Sequence, residues 1–310
     1  MARYGIIDLG SNTIRLCIYE VDSPSKTTLQ KKDVHTLLNY KIMAGLAAYV
    51  KDGAMTKKGI KRAINTINAH LRRASHFSCE RIDIFATAVL RNCSNSTEAT
   101  AAIEEGCSAT ITILSNWDEA HLGFIGASLE KPLENGTLID IGGGSTELTR
   151  IAQKGDSDNI SIPQGSLSSF ALHVEGLLPT EQEMDAIART FRTHLANTTR
   201  ASYETTDLFG IGGAIRSAAK VYGDVFNDGA RDSILLPQHI DAILTSYRRD
   251  PQVFAHRALK TIPDRIHTFI PGCIIIDELF TLCRAERLAI HKCGIREGYL
   301  IDRVLKHRGN

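Results

Sequence analysis

The chain has 310 residues, which at roughly 150 residues per domain is enough for about two domains. Thirty-six Lys and Arg face 35 Asp and Glu, a net charge of +1. That balance excludes a protein whose main business is coating nucleic acid, since no global basic excess would drive counterion release. The hydrophobic share of 43% and charged share of 23% are those of an ordinary globular protein.

The start carries a charge at Asp8 before any long apolar stretch can form. No uninterrupted apolar run reaches about 18 residues, so a transmembrane helix is not expected. The seven cysteines are odd in number and have no C-x-x-C pair. Reduced thiols are expected, with neither a disulfide framework nor a zinc site. The eleven histidines show no H-x-H or H-x-x-x-H spacing. These features together predict a cytoplasmic protein with no nucleic-acid and no membrane partner.

Residues 5–9 are a short apolar run ending at Gly10. Residues 14–20 alternate, with Ile14, Leu16 and Ile18 on one face and Arg15, Cys17 and Tyr19 on the other. That is the period of a half-buried strand. Gly10-Ser11-Asn12 between them has the chemistry of a hairpin turn. Residues 29–38 predict a third strand. Thr56 can cap a helix with Ile60, Ile64, Ile67 and Leu71 on one face. Lys57-Lys58 and Arg72-Arg73 read as its solvated side. Ile82–Phe85 predicts a strand, then Asn95 or Ser96 caps a short helix stopping at Gly106. Thr110–Leu114 predicts a strand, and Ser115 or Asn116 opens a helix carrying Asp118, Glu119, Leu122 and Ile125.

The pattern then restarts. Thr137–Ile141 is apolar and runs into Gly142-Gly143-Gly144. Strands are expected over Glu147–Ile151 and Asn159–Pro163. Thr180 and Glu183 form a capping box that opens a helix through about Leu195. Leu208–Ile211 is a strand leading into Gly212-Gly213, Pro237 suits a first helical turn, and the last third reads as mainly helical. This is a mixed α/β protein with two similar lobes.

The restart contains a short repeat. Ile7-Asp8-Leu9-Gly10-Ser11-Asn12-Thr13 resembles Ile139-Asp140-Ile141-Gly142-Gly143-Gly144-Ser145-Thr146, and the two aspartates lie 132 positions apart. In each, glycine lets the backbone approach an oxyanion and successive N–H groups form a donor nest. Ser11, Asn12, Thr13, Ser145 and Thr146 add side-chain donors. A carboxylate beside such a turn would repel phosphate unless a cation bridges them, and magnesium takes oxygen ligands from both sides. Glu147 is close enough in sequence to join Asp140. A single D-x-G turn is an ordinary tight turn, but the matched pair points to phosphate. Gly212 and Gly213, between a strand and a helix, are a further anion candidate. Arg216 and Lys220 share one face of that helix and could grip an anion or simply be exposed. Neither the Walker A pattern nor the Rossmann fingerprint is present.

Two lobes with D-x-G turns resemble the superfamily of actin, the heat-shock chaperone ATPases and the sugar kinases. More narrowly, the chain resembles the exopolyphosphatase and guanosine pentaphosphate phosphohydrolase family. The matching stretches are Ile7 to Leu16, Ala86 to Arg91, Asp118-Glu119-Ala120, Ile139 to Leu148, Gly212-Gly213 and Gly294 to Leu300. They occur in family order over nearly the whole chain. The fold so implied is two ribonuclease H-like lobes, the actin-like ATPase fold, with a cleft between them. Residues 1–125 would form the first lobe, with a C-terminal helix over about 295–310 packing back on it, and residues 126–294 the second.

The resemblance implies a Mg²⁺-dependent exopolyphosphatase that releases terminal orthophosphate from inorganic polyphosphate; another divalent cation could serve. Glu119 would be the general base that activates water. Asp140 and Glu147 would hold the metal, with Asp140 also helping to place the nucleophile. Ser11, Asn12, Gly142, Gly143, Gly144, Ser145, Gly212 and Gly213 would bind phosphates, and Arg91 would neutralise their charge. A homodimer is implied by the resemblance and carried by no residue pattern. The likeness is to the short two-domain form; larger members carry an extra C-terminal domain.

One departure stands out. The family has arginine two positions after this glutamate, and here it is His121. That residue could contact phosphate or be a solvated surface histidine. Trp117 beside it reads as a packing anchor. Three alternatives stay open: guanosine pentaphosphate as substrate, an ATP-dependent kinase of the same superfamily, and a non-catalytic phosphate or nucleotide sensor.

Overall fold

The computed structural model describes residues 1–22, 24, 29–152, 155–198, 203–230 and 233–306. The chain divides into two compact units, Met1–Glu130 with Ile295–Asn310, and Lys131–Gly294. Helix 116–130 is unbroken, so the first unit runs to residue 130. The last four residues of the helix expected over about 295–310 lie outside the described residues.

In the first unit β1 (Ala2–Leu9), β2 (Thr13–Val21) and β3 (Val34–Met43) form an antiparallel meander. The third strand starts five residues later than expected, because a short 3₁₀ turn, Lys31–Asp33, precedes it. β4 (Val50–Lys51) and β5 (Ala54–Met55) make a small separate hairpin. Helix α1 (Lys57–Ala74) follows, with the Thr56 hydroxyl accepting from the Gly59 N–H at 3.3 Å. β6 (Arg81–Ala86), the short α2 (Ala88–Arg91), α3 (Ser96–Cys107), β7 (Ile111–Ile113) and α4 (Asn116–Glu130) complete the forward run. β6 and β7 add in parallel beside β1, giving the order β3-β2-β1-β6-β7.

β2 is buried on both faces, not one. Ile14, Leu16 and Ile18 join the core, and so do Cys17 and Tyr19 at 0% exposure. The second face is covered by the returning C-terminal segment, α11 (Ile295–Tyr299) and the wider π-type turns of Leu300–Leu305. Tyr19 donates its hydroxyl to the buried Glu297 carboxylate at 2.6 Å, and the Tyr299 ring stacks on Phe85 with centroids 4.9 Å apart. α11 also packs tightly on α4. A Cβ at Gly298 would run into the Leu122 carbonyl, so only glycine permits that approach.

The second unit repeats this topology. β8 (Gly136–Ile141), β9 (Thr146–Ala152) and β10 (Gly155–Ile162) form the meander. After α5 (Ser166–His173) and α6 (Glu181–Thr198), β11 (Asp207–Ile211) lies parallel to β8. α7 (Gly213–Phe226), the two-residue β12 (Ile234–Leu235), α8 (Pro237–Arg249), α9 (Pro251–Leu259), α10 (Ile266–Cys283) and β13 (Arg287–Ile290) close it. The order is β10-β9-β8-β11-β13-β12. Three antiparallel strands followed by two parallel ones, twice, with the short β12 added antiparallel at the edge of the second sheet, make two similar ribonuclease H-like units.

Helix α10 is the core of the second unit. Among the described residues, Pro263–Cys283 alone is long and apolar enough to cross a membrane, and 72% of its most apolar stretch is buried inside the protein. Its apolar side chains are used in packing. All seven cysteines are free thiols, and six are buried. Burial pushes the Cys107 thiol up to about 11 and the Cys283 thiol up to about 12, so neither is a reactive thiolate at neutral pH.

The capping box at α6 is made as expected from sequence. Glu183 accepts from the Thr180 N–H at 2.6 Å and from the Glu175 N–H at 2.9 Å, and these donors hold its carboxyl below the usual range. A carboxyl lowered by folding stabilises fully above its ordinary value and loses this as pH falls through the lowered one. Glu183→Ala is therefore expected to cost about 1 kcal/mol in urea unfolding at pH 7. The gap to wild type should close as the pH falls below about 4.

Candidate active site

The two repeated turns share one construction. In the first unit the Gly10 N–H donates to the Thr13 carbonyl at 3.0 Å. In the second the Gly142 N–H donates to the Ser145 carbonyl at 2.9 Å. The preceding aspartates occupy matching places: Asp8 and Asp140 are each the penultimate residue of a central strand.

The carbonyls of both turns are tied down from one side. The Ser11 and Asn12 carbonyls accept from the N–H groups of Ala47 and Gly45 at 3.0 and 2.9 Å. The Gly142 carbonyl accepts from the Ser166 N–H at 3.0 Å, and the Gly143 carbonyl from Leu167 and Ser168 at 2.9 and 2.8 Å. The Gly144 carbonyl takes the Ser168 hydroxyl at 3.4 Å. The glycine turn thus satisfies the orphan N–H groups of the first turn of α5. A trans peptide is planar, with its N–H opposite its C=O. The N–H groups of Gly143, Gly144 and Ser145 therefore point away from α5, and those of Asn12 and Thr13 point away from Gly45–Ala47. Converging N–H groups of this kind can receive an anion.

Close packing holds the second turn in place. A Cβ on Gly165 would fall 2.6 Å from the Gly142 carbonyl oxygen. Gly212 has φ +92°, and a Cβ there would overlap the Asp140 carboxylate. Gly213 opens α7 and faces the guanidinium of Arg265, which any side chain at 213 would strike. Burial lowers the Arg265 pKa from its ordinary value. Sequence reasoning missed Arg265, because it lies 52 residues from the turn it approaches and no motif marks it.

The two aspartates have different cross-strand neighbours. Asp8 pairs across the ladder with Arg15, and its carboxylate lies 3.7 Å from the Arg296 guanidinium. Burial pushes the Asp8 carboxyl upward, while Arg296 and then Arg15 pull it back. Asp140 instead pairs across the ladder with Glu147. Directly opposed residues share a face of the sheet, and like charges there repel. Glu147 is 4% exposed and accepts from the Ser161 hydroxyl at 2.9 Å. Two opposed carboxylates beside a glycine turn fit Mg²⁺, which is held by one or two carboxylates with water and phosphate oxygens completing its shell. Among the described residues there is no group of three or more His, Cys, Asp or Glu that would cage a metal by themselves.

Glu119 and Arg91 meet in the first unit. Arg91, at the end of α2, forms an ion pair with Glu119 and donates to the Leu114 carbonyl at 2.9 Å. Their side chains keep only 12% and 15% of their surface. Arg91 is thus already engaged by a carboxylate, in addition to any role toward phosphate. The helix that places it, α2, gave no signal in the sequence, being a single turn. His121 stacks on Trp117, 4.5 Å between centroids with planes 14° apart. Trp117 is 55% exposed, so it is no packing anchor; it lies one helical turn from His121 on an outward face of α4.

Comparison with known proteins gives these features a family. A model of the Ppx/GppA phosphatase family matches residues 27–307, and the chain belongs to that family. It is 26% identical over 166 residues to Exopolyphosphatase 1 of Mycobacterium leprae, a match covering 53% of this chain and 47% of that protein. The chain thus matches about half the length of this curated relative. Its fold is similar to the crystal structure of the Ppx/GppA family member of Aquifex aeolicus, with a TM-score of 0.79, 20% identity and coverage of 100% and 99% of the two chains. It is also similar to an exopolyphosphatase structure from Cytophaga hutchinsonii, with a TM-score of 0.80, 20% identity and 98% coverage of each chain.

The packing around Asp140 can be tested without substrate. Gly212→Ala combines a left-handed backbone with a collision on Asp140, and should cost about 2–3 kcal/mol in urea unfolding. Gly176→Ala, whose nearest neighbour would be 3.8 Å away, should change stability by less than about 0.5 kcal/mol.

Proposed function

We propose that this chain is a Mg²⁺-dependent exopolyphosphatase that releases terminal orthophosphate from inorganic polyphosphate. The observation that carries this reading is the opposed Asp140–Glu147 pair beside the Gly142–Ser145 donor turn, in a chain of the Ppx/GppA phosphatase family. Polyphosphate is a dense polyanion, and both turns aim amide donors outward.

Glu119 is the general base. Its ion pair with Arg91, and the bond from Arg91 to the Leu114 carbonyl, hold it at the end of β7. It takes a proton from water as that oxygen attacks the terminal phosphorus in line. The bond to the bridging oxygen breaks, and the shortened chain leaves with the electron pair. Gly143, Gly144 and Ser145 hydrogen-bond the charged phosphoryl oxygens through their amides, in place of water. Asn12 and Thr13 are the matching amide donors of the first unit's turn, beside the Ser11 and Asn12 side chains. Asp140 and Glu147 would hold Mg²⁺, which when bound supplies positive charge to the transferring group.

Orthophosphate release should be measured from long polyphosphate, tripolyphosphate and guanosine pentaphosphate, with Mg²⁺ and with EDTA. Release from polyphosphate is expected with Mg²⁺ only. It should fall about 10³-fold in Glu119→Gln while polyphosphate binding persists. Asp140→Asn should raise the Mg²⁺ needed for half-maximal rate about ten-fold or more. Full activity in Glu119→Gln would remove the base assignment, and preference for guanosine pentaphosphate would replace the substrate.

A further inference from the structure

The returning C-terminal segment grips the helix that carries Glu119. From the wide turns of Leu300–Leu305, Arg303 forms an ion pair with Asp118, the residue before Glu119. Asp118 divides its carboxylate between two tasks. Oδ1 takes the Arg303 guanidinium. Oδ2 accepts from the Ser115 N–H at 3.0 Å and from the Ser115 hydroxyl at 2.5 Å, while the Ser115 Oγ accepts from the Asp118 N–H at 3.1 Å. That reciprocal arrangement closes the N-terminus of α4. The helical bond from the Glu119 N–H to the Ser115 carbonyl, at 3.0 Å, adjoins it. A shift of Asp118 therefore moves the start of the helix, and Glu119 with it.

Arg303 is itself anchored. Its segment continues α11, where Glu297 is bonded to Tyr19, Tyr299 stacks on Phe85 and Gly298 rests on the Leu122 carbonyl. Leu300, Val304 and Leu305 are buried. Turns of the π type are rare and recur at functional sites. The start of α4 is thus held from two directions. Arg91 bonds the Leu114 carbonyl and the Glu119 carboxylate, and Arg303 bonds Asp118. Consecutive side chains project about 100° apart around a helix, so the two arginines secure different sides of one turn. The Asp118 and Arg303 side chains keep 22% and 37% of their surface, and a partly exposed pair adds little to global stability. Its consequence is geometric, because a general base works only within hydrogen-bond reach of the proton it takes.

We propose that Arg303 is a positioning residue for the reaction, holding Glu119 in place through Asp118. The proposal rests on the reading of Glu119 as the general base. In this role Arg303 makes no contact with phosphate. Its loss therefore slows the chemical step and leaves substrate binding alone.

The test is Arg303→Met, assayed on tripolyphosphate and long polyphosphate. For both substrates kcat should fall about ten-fold and KM should stay within about two-fold of wild type. Arg303→Lys, which keeps the charge, should recover part of the loss. Lys306→Met, which removes only an ion pair to Asp302 within the same segment, should match wild type. In a Glu119→Gln background Arg303→Met should lower the residual rate by less than about two-fold, because the base it positions is already gone. Equal ten-fold losses in both backgrounds overturn the proposal, as does a raised KM with unchanged kcat. If Arg303→Met does not fold, Asp118→Asn breaks the pair from its other side and should give the same loss of kcat alone. An inactive Glu119→Gln beside a fully active Arg303→Met overturns the positioning role only, whereas a fully active Glu119→Gln removes the base and the proposal together. If the wild-type protein hydrolyses neither substrate, the active-site reading fails by itself and hydrogen exchange decides the grip. The Glu119 amide should then lose protection about ten-fold in Arg303→Met, and unchanged protection overturns it.

Discussion

The site depends on the planarity of the peptide bond. Each repeated turn has its carbonyls captured from one side, by Gly45 and Ala47 in the first unit and by the start of α5 in the second. Because C=O and N–H of one peptide point in opposite directions, capture of the carbonyls decides where the amides aim. The same hydrogen bonds cap a helix that has no side-chain cap of its own. Glycine is required at 165 because the carbonyl of Gly142 comes within 2.6 Å of where a Cβ would be. The outward aim of these amides is thus a by-product of satisfying buried backbone groups.

The two units share a topology but not a chemistry. At the same position of the same strand, Asp8 faces Arg15 and Arg296, whereas Asp140 faces Glu147. A carboxylate with two cationic neighbours is compensated inside the protein. A carboxylate opposed by another meets a like charge on the same face of the sheet. The repeat therefore sets one aspartate opposite an arginine and the other opposite a glutamate.

Arg296 reaches Asp8 from the far end of the chain, and the same segment buries the second face of β2. Tyr19 and Glu297, joined at 2.6 Å, are 278 residues apart. Asp8, Cys17 and Tyr19 sit beneath this segment, which makes β2 buried on both faces despite its half-polar alternation. Similarly, Arg91 and Glu119 come from separate helices yet form one partly buried pair, which fixes a carboxylate at the end of β7.

The sequence by itself determined what neighbours along the chain can decide. Alternation in residues 14–20, the glycine turns after Ile7-Asp8 and Ile139-Asp140, the Thr56 cap and the Thr180–Glu183 box are local signals. All of them are formed in the structure. The repeat also made Asp140 and Glu147 visible as a pair, since a tight hairpin sets them opposite each other. Only the tertiary structure decided the direction of the amides, the pairing of Arg91 with Glu119, the approach of Arg265 to Gly213 and that of Arg296 to Asp8. Each of these joins residues that are distant in the chain, and their contact depends on close packing between elements rather than on any periodicity. Helix α5 shows the same limit: its first amides are satisfied by the carbonyls of a turn more than twenty residues earlier, a partner that no local pattern announces.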